Sequence, residues 1–245
     1  MNVTDNNHGS LKLQTLSHKR WRRGHEEPCP YIPMNPAQRY DKLAAHYDVR
    51  WRKYNRAVHD EVLRHLPRDL SQHRVLDVGC GTGEWLEVLL RSNPQIVHVV
   101  GVEPSRGMQN QACARFADFS SNAMVELLQS RIEDVSPKSD ALKSDSFGLV
   151  TCLNVLHYLN DATAFFADAH RVLDVGGTLI VQDYTHINWP FYDHAVRLFD
   201  GETQHLYTPR EMSVLAESAG FTVKVARCFR ISQLWRGAIL VARKN

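Results

Sequence analysis

Short apolar runs alternate with stretches of helical periodicity along most of this 245-residue chain. Val75–Val78, Ile96–Val102, Met124–Gln129, the apolar core of Asp145–Leu153 and Thr178–Val181 are each bounded by polar or glycine-rich segments, as buried strands are. Between the last two, Ala162, Phe165, Phe166, Ala169 and Val172 recur at helical spacing, predicting a helix from about Asp161 to Leu173 that Gly176-Gly177 breaks. Thr208-Pro209-Arg210-Glu211 is a capping box with proline at the first turn, so a helix starts there and runs to Ala219 before Gly220. Phe221–Ala226 and Leu234–Ala242 read as two closing antiparallel strands. Strands alternating with helices predict an α/β chain with a doubly wound, mostly parallel sheet.

Upstream of the first strand, Tyr40, Leu43, Ala44, Tyr47 and Trp51 recur at three and four residues and share one helical face. A further helix is expected from about Asn55 to Leu66. Residues 1–35 are polar at the start and carry Pro28, Pro30 and Pro33 near the end, which predicts a poorly ordered tail. The rest, residues 36–245, reads as one domain, with helices at 36–70 and an insertion at 185–207. The tail holds Lys19-Arg20-Trp21-Arg22-Arg23, which reads either as a solvated basic stretch or as a docking element for an anionic surface.

Composition narrows the class only slightly. A net charge of +2 makes no case for nucleic acid as a partner, and five scattered cysteines with no C-x-x-C pair suit a reducing compartment. No apolar run is long enough for a transmembrane helix and the N-terminus lacks a secretory core, so a cytoplasmic location is expected.

The chemistry concentrates where strands end. Val75-Leu76-Asp77-Val78-Gly79-Cys80-Gly81-Thr82-Gly83 runs from a strand into three glycines at alternate positions, with Asp77 two residues ahead of them. Without a Cβ such a turn brings backbone close to a ligand. A dinucleotide loop places its third glycine where this chain has Glu84, and an acid at a helix entrance opposes a pyrophosphate. The loop suits a nucleoside without phosphate. About twenty residues on, Glu103-Pro104 ends the second strand, the spacing at which a carboxylate meets ribose hydroxyls.

Val75–Gly83 with these downstream partners resembles motif I of the class I S-adenosylmethionine (SAM)-dependent methyltransferases. The resemblance runs from about Tyr40 to the C-terminus and is closest to the small single-domain type that includes ubiquinone/menaquinone-biosynthesis methyltransferases. It implies a Rossmann-like, seven-stranded mixed sheet in the order 3-2-1-4-5-7-6, strand 7 antiparallel, with helices on both faces. It implies SAM as cofactor and S-adenosylhomocysteine as product. Cofactor contacts then fall on Asp77, Gly79, Cys80, Gly81, Gly83, Glu103, Pro104 and Asn154, with adenine contacts from the backbone of Ile132 or Glu133. Many family members carry an aspartate where this chain has Ser130 or Arg131, so the usual side-chain contact to adenine departs from the pattern. The Tyr40–Asp48 segment resembles a lid that sets Tyr40 and Tyr47 near the sulfonium, where cation–π attraction operates; core packing is the alternative.

On the acceptor side the candidates are His157, Tyr184, His186 and Trp189. The aromatic-rich insertion Asn188–Phe199 reads as an extra helix, either a cap or a wall for a flat or apolar acceptor. Transfer from a sulfonium is an in-line displacement in which the protein mainly binds and orients. If the acceptor is a hydroxyl, a general base helps, and His157, His186 and His194 are candidates; His157 reads first as a packed or capping histidine beneath the site. No motif for a metal ligand set occurs. The reading is a methyltransferase for a small-molecule acceptor, aromatic or prenylated, acting as a monomer or homodimer. The alternatives are another SAM-dependent chemistry on this fold or a non-catalytic partner protein.

Overall fold

The computed structural model describes residues 35–71, 73–135, 142–185, 205–233 and 235–245. Seven strands form one sheet: β1 Arg74–Val78, β2 His98–Val102, β3 Met124–Leu128, β4 Phe147–Leu153, β5 Leu173–Tyr184, β6 Phe221–Arg230 and β7 Arg236–Lys244. Their order is β3-β2-β1-β4-β5-β7-β6. The first five strands pair in parallel, and β7 runs antiparallel to both β5 and β6. The pattern of the chain predicts a doubly wound, mostly parallel sheet, and this strand order is the one the family resemblance implies.

Strand alternation explains the two cores. Leu76, Val150, Leu179 and Leu240 point to one face, where they meet Phe165, Phe166 and Ala169 of α5 (Ala162–Val172) and Met212 of α6 (Pro209–Ser218). Their neighbours Val75, Leu149, Ile180 and Ile239 point the other way, onto Val58 and Val62 of α2 (Tyr47–Leu63) and Leu86 and Leu89 of α3 (Glu84–Ser92). Central parallel strands covered on both faces carry apolar side chains at nearly every position, which is why they are legible as runs.

Two local expectations change. The aromatic face at Tyr40–Trp51 is not one helix. α1 (Pro36–Leu43) ends, a 3₁₀ turn spans Ala44–His46, and α2 begins at Tyr47 and continues through the expected second helix. Asn35 caps α1, its side-chain oxygen accepting from the Ala37 N–H at 3.0 Å. Second, Gly176-Gly177 does not separate helix from strand. The helix stops at Val172 and β5 starts at Leu173; the glycines form a bulge inside it, with Phe147 opposite Leu173 and Leu149 already opposite Thr178. Gly176 has a φ of 81°, which ladder geometry at that bulge requires and a side chain resists. The basic tail and the aromatic insertion lie outside the described residues.

Phe166 is fully buried in the α5 core. Phe166→Ala should lower stability by about 3–5 kcal/mol, read from the urea midpoint with an unchanged slope.

Candidate cofactor site

The strand ends of β1, β2 and β4 face α1 across a cleft of about 310 Å³. β1 leaves the sheet through a turn in which Gly79 adopts a φ of 72°. A Cβ there would lie 2.3 Å from Val155 Cγ2, so no other residue fits. The Gly79 and Cys80 amides donate to the Val102 carbonyl at 2.7 and 3.1 Å, fastening the turn to the end of β2. Gly81 faces open space. Its amide donates to Glu103 Oε2 at 3.0 Å, and the Ser105 amide donates to Glu103 Oε1 at 2.8 Å. The carboxylate at the tip of β2 is thus held by backbone on both oxygens, with lone pairs left toward the cleft. Burial pushes its pKa up to about 7, against the pull of the Ser105 and Gly81 amides.

Of the residues singled out from sequence, Tyr40, Tyr47, Gly79, Gly81, Glu103, Pro104, Ile132, Glu133 and Asn154 all line this cleft. Arg131 is the one basic side chain lining it among the described residues, and its guanidinium pairs with Glu133 at 3.1 Å. Asp77, Cys80 and Gly83 do not line it. Asp77 sits beneath the turn, buried, accepting from the Thr151 hydroxyl at 2.6 Å while Trp85 donates to that hydroxyl at 3.2 Å. Burial pushes the Asp77 pKa up to about 7. Cys80 turns inward onto Gly101, and Gly83 caps α3 against Phe116.

Periodicity did not single out Met108 and Tyr158, which also line the cleft. Tyr158 is the last residue of a 3₁₀ turn after β4; its hydroxyl lies 3.0 Å from that of Tyr40, which closes one end. Tyr40 and Tyr47 meet edge to face at 5.8 Å. Asn154 holds a φ of 58°, and its side-chain oxygen accepts from the Tyr54 hydroxyl at 2.7 Å. His157 lies behind this wall, buried. Its Nδ1 is 2.7 Å from Asp183 Oδ1, and its ring packs 3.8 Å from Tyr158 and 4.4 Å from Tyr184. His186, Trp189 and His194 lie outside the described residues.

The cleft fits a nucleoside bearing a cationic centre. Its open glycine edge admits a ligand against backbone, its acid stands at the strand tip, its far end is walled by tyrosines, and its lone arginine is already neutralised. Glu84 and Glu87 occupy the first turn of α3, where they oppose a pyrophosphate at that helix entrance.

A family model described as a methyltransferase domain matches residues 50–224. The chain belongs to that family. Sequence relatives and fold place it among the class I SAM-dependent members. It is 31% identical over 159 residues to a ubiquinone/menaquinone biosynthesis C-methyltransferase of Campylobacter jejuni, covering 61% of this chain and 60% of that one. It is 30% identical over 127 residues to a ubiquinone biosynthesis O-methyltransferase of a Bradyrhizobium species, covering 52% and 46%. The chain therefore spans roughly half the length of these relatives. Among solved structures, a SAM-dependent methyltransferase from Mesorhizobium loti shares the fold with a TM-score of 0.59 at 19% identity, over 75% and 96% of the two chains. Geranyl diphosphate C-methyltransferase from Streptomyces coelicolor, in complex with S-adenosylhomocysteine, does so with a TM-score of 0.64 at 14% identity, over 77% and 76%. No helix among the described residues is long and apolar enough to cross a membrane.

The helices over the cleft are fastened by two acids. Asp41 of α1 accepts from the Ser105 hydroxyl and the Gly107 amide, both at 2.7 Å, at the start of α4 (Arg106–Ala117). The Gly107 amide, then Ser105, hold its carboxyl below the usual range. Asp48 of α2 accepts from the Thr82 hydroxyl at 2.6 Å and pairs with Arg115, which also pairs with Glu87. Each acid directly follows a cleft-lining tyrosine. Asp41→Ala should free α1 and speed amide exchange over residues 36–46 by roughly tenfold, the factor carried by a lost bond to a charged group of about 1.4 kcal/mol. The β1 and β4 amides should exchange unchanged in the same mass-spectrometry series.

Proposed function

We propose that this chain moves the methyl group of SAM onto a small, uncharged acceptor, aromatic or prenylated, by in-line displacement. The observation that carries the reading is the buried Glu103 carboxylate at the tip of β2, lining the cleft and braced by the Gly81 and Ser105 amides. SAM supplies a methyl group on an already activated leaving sulfur, so the protein's work is binding, orientation and exclusion of water.

Each wall has a part in that work. Glu103 accepts the ribose hydroxyls, two donors for one acceptor-only carboxylate. The backbone at Ile132 and Glu133 takes the adenine edge, and Met108 and Leu159 offer apolar flanks. Tyr40, Tyr47 and Tyr158 present rings and hydroxyls to the positive centre and keep water out. Asn154, in left-handed backbone and fixed by Tyr54, stands at the methionine end. His157 is the histidine candidate within the described residues. Asp183 orients its imidazole, which suits it to take a proton from an acceptor hydroxyl if the acceptor reaches past Tyr158. The names of the two quinone-pathway relatives favour a ring or prenylated acceptor for this chain as well.

Isothermal titration with SAM and S-adenosylhomocysteine tests the reading directly. Both should bind at micromolar strength; a folded sample that takes neither would remove it. The pH dependence tests Glu103. With a folded-state pKa of about 7 against an ordinary 4.5, the carboxylate is protonated as pH falls through about 7. Cofactor affinity should therefore weaken on going from pH 8 to pH 6, by up to about tenfold per unit at the low end. The sign for stability is opposite: the free protein binds the proton more tightly folded than unfolded, so it gains stability as pH falls from 7 toward 4.5. Glu103→Gln should weaken SAM by at least about tenfold at pH 8 and flatten both dependences.

A further inference from the structure

Gln182 lies on β5 with its side chain fully buried. Neither its Oε1 nor its Nε2 has a hydrogen-bond partner of full geometry among the described residues, and the Tyr54 hydroxyl is only a loose polar neighbour. Buried amides are ordinarily satisfied, so an open one points to a partner the fold itself does not supply.

Its surroundings define that partner. Strand alternation sets Gln182 on the face of Ile180 and Tyr184, toward α2. The Tyr54 hydroxyl stands beside it, and that hydroxyl donates to Asn154 Oδ1 at 2.7 Å. The Asn154 amide in turn donates to the Gln182 carbonyl at 2.8 Å, so Gln182 is one residue removed from the cleft at its methionine end. Around it runs a wall of rings. Trp235 meets Trp51 at 6.4 Å, Tyr54 at 6.0 Å and Tyr184 at 5.9 Å, each edge to face. Core packing accounts for such a cluster of rings but not for an open amide among them. The Asp183 carboxylate is the strongest charge acting on Tyr54, and the exposed Arg50 guanidinium lies over the Trp51 ring at 5.9 Å.

We infer that Gln182 is the polar specificity contact for the methyl acceptor, a neutral, flat apolar molecule whose hydroxyl or carbonyl oxygen bonds to the Gln182 amide while its ring lies against Trp51, Tyr54, Tyr184 and Trp235. An amide offers both a donor and an acceptor, so it serves either oxygen; it offers no counter-charge to an anion. The inference rests on the methyl-transfer reading and names the acceptor class for it.

Equilibrium dialysis of the full chain against 2-naphthol, naphthalene and 2-naphthoate, with and without saturating S-adenosylhomocysteine, tests it. The parent should bind 2-naphthol about fivefold or more tighter than naphthalene, and 2-naphthoate weakest. Gln182→Met should erase the advantage of 2-naphthol while binding naphthalene and S-adenosylhomocysteine as the parent does. Should that variant fail to bind S-adenosylhomocysteine, Gln182→Asn, which draws the amide back by one methylene, should lose the same advantage. Equal binding of 2-naphthol and naphthalene by the parent, retention of the preference in the folded variant, or 2-naphthoate as the tightest ligand would each overturn the assignment. A parent that binds no S-adenosylhomocysteine but keeps a Gln182-dependent preference would sink the methyl-transfer reading and leave Gln182 as a binding residue.

Discussion

The closeness of Gly79 to Val155 is the constraint on which the site depends. With 2.3 Å between a would-be Cβ and Val155 Cγ2, the chain leaving β1 can pass the end of β4 only as bare backbone. That passage lets the Gly79 and Cys80 amides reach the Val102 carbonyl, which ties the turn to β2. The tie in turn delivers the Gly81 amide to Glu103. One steric fact at the centre of the sheet thus sets the relative position of three strand ends and of the acid between them.

Around that fixed centre the structure trades charge for enclosure. Glu103 and Asp77 are both buried enough to have pKa values raised to about 7, yet they do different things. Glu103 faces the cleft with backbone donors on both oxygens. Asp77 is turned onto Thr151 and Trp85 beneath the loop and supports it from below. The lid is assembled by the same economy: each cleft-lining tyrosine is followed by an acid that reaches away from the cleft, Asp41 to α4 and Asp48 to Thr82 and Arg115. Seven residues separate the two pairs, close to two helical turns, so both repeat on one side although the helix is interrupted between them.

Much of this is legible in the sequence. The parallel strands are buried on both faces, so their residues are nearly all apolar and stand out as runs. The G-x-G-x-G loop and the acid about twenty residues later are local patterns, because a tight turn and a strand tip are local structures. Gly176-Gly177 misleads for the same reason: two glycines after a helix look like its end, whereas the bulge they form exists only because β4 lies alongside.

The sequence by itself determined the order of strands and helices, the glycine loop, and the acids and tyrosines available to a cofactor. The tertiary structure alone decided which of them meet. Asp77 and Glu103 are both acids at strand ends, but strand alternation and the packing of Thr151 and Trp85 turn one inward, while the Gly81 amide holds the other in the cleft. Tyr158, Tyr54 and Gln182 have no motif to mark them. Their roles arise from contacts between residues far apart in the chain, such as Tyr40 with Tyr158 and Tyr54 with Asn154. Spacing along a chain encodes only what neighbours on one element can do; which side chains face each other across elements depends on how the helices and strands pack.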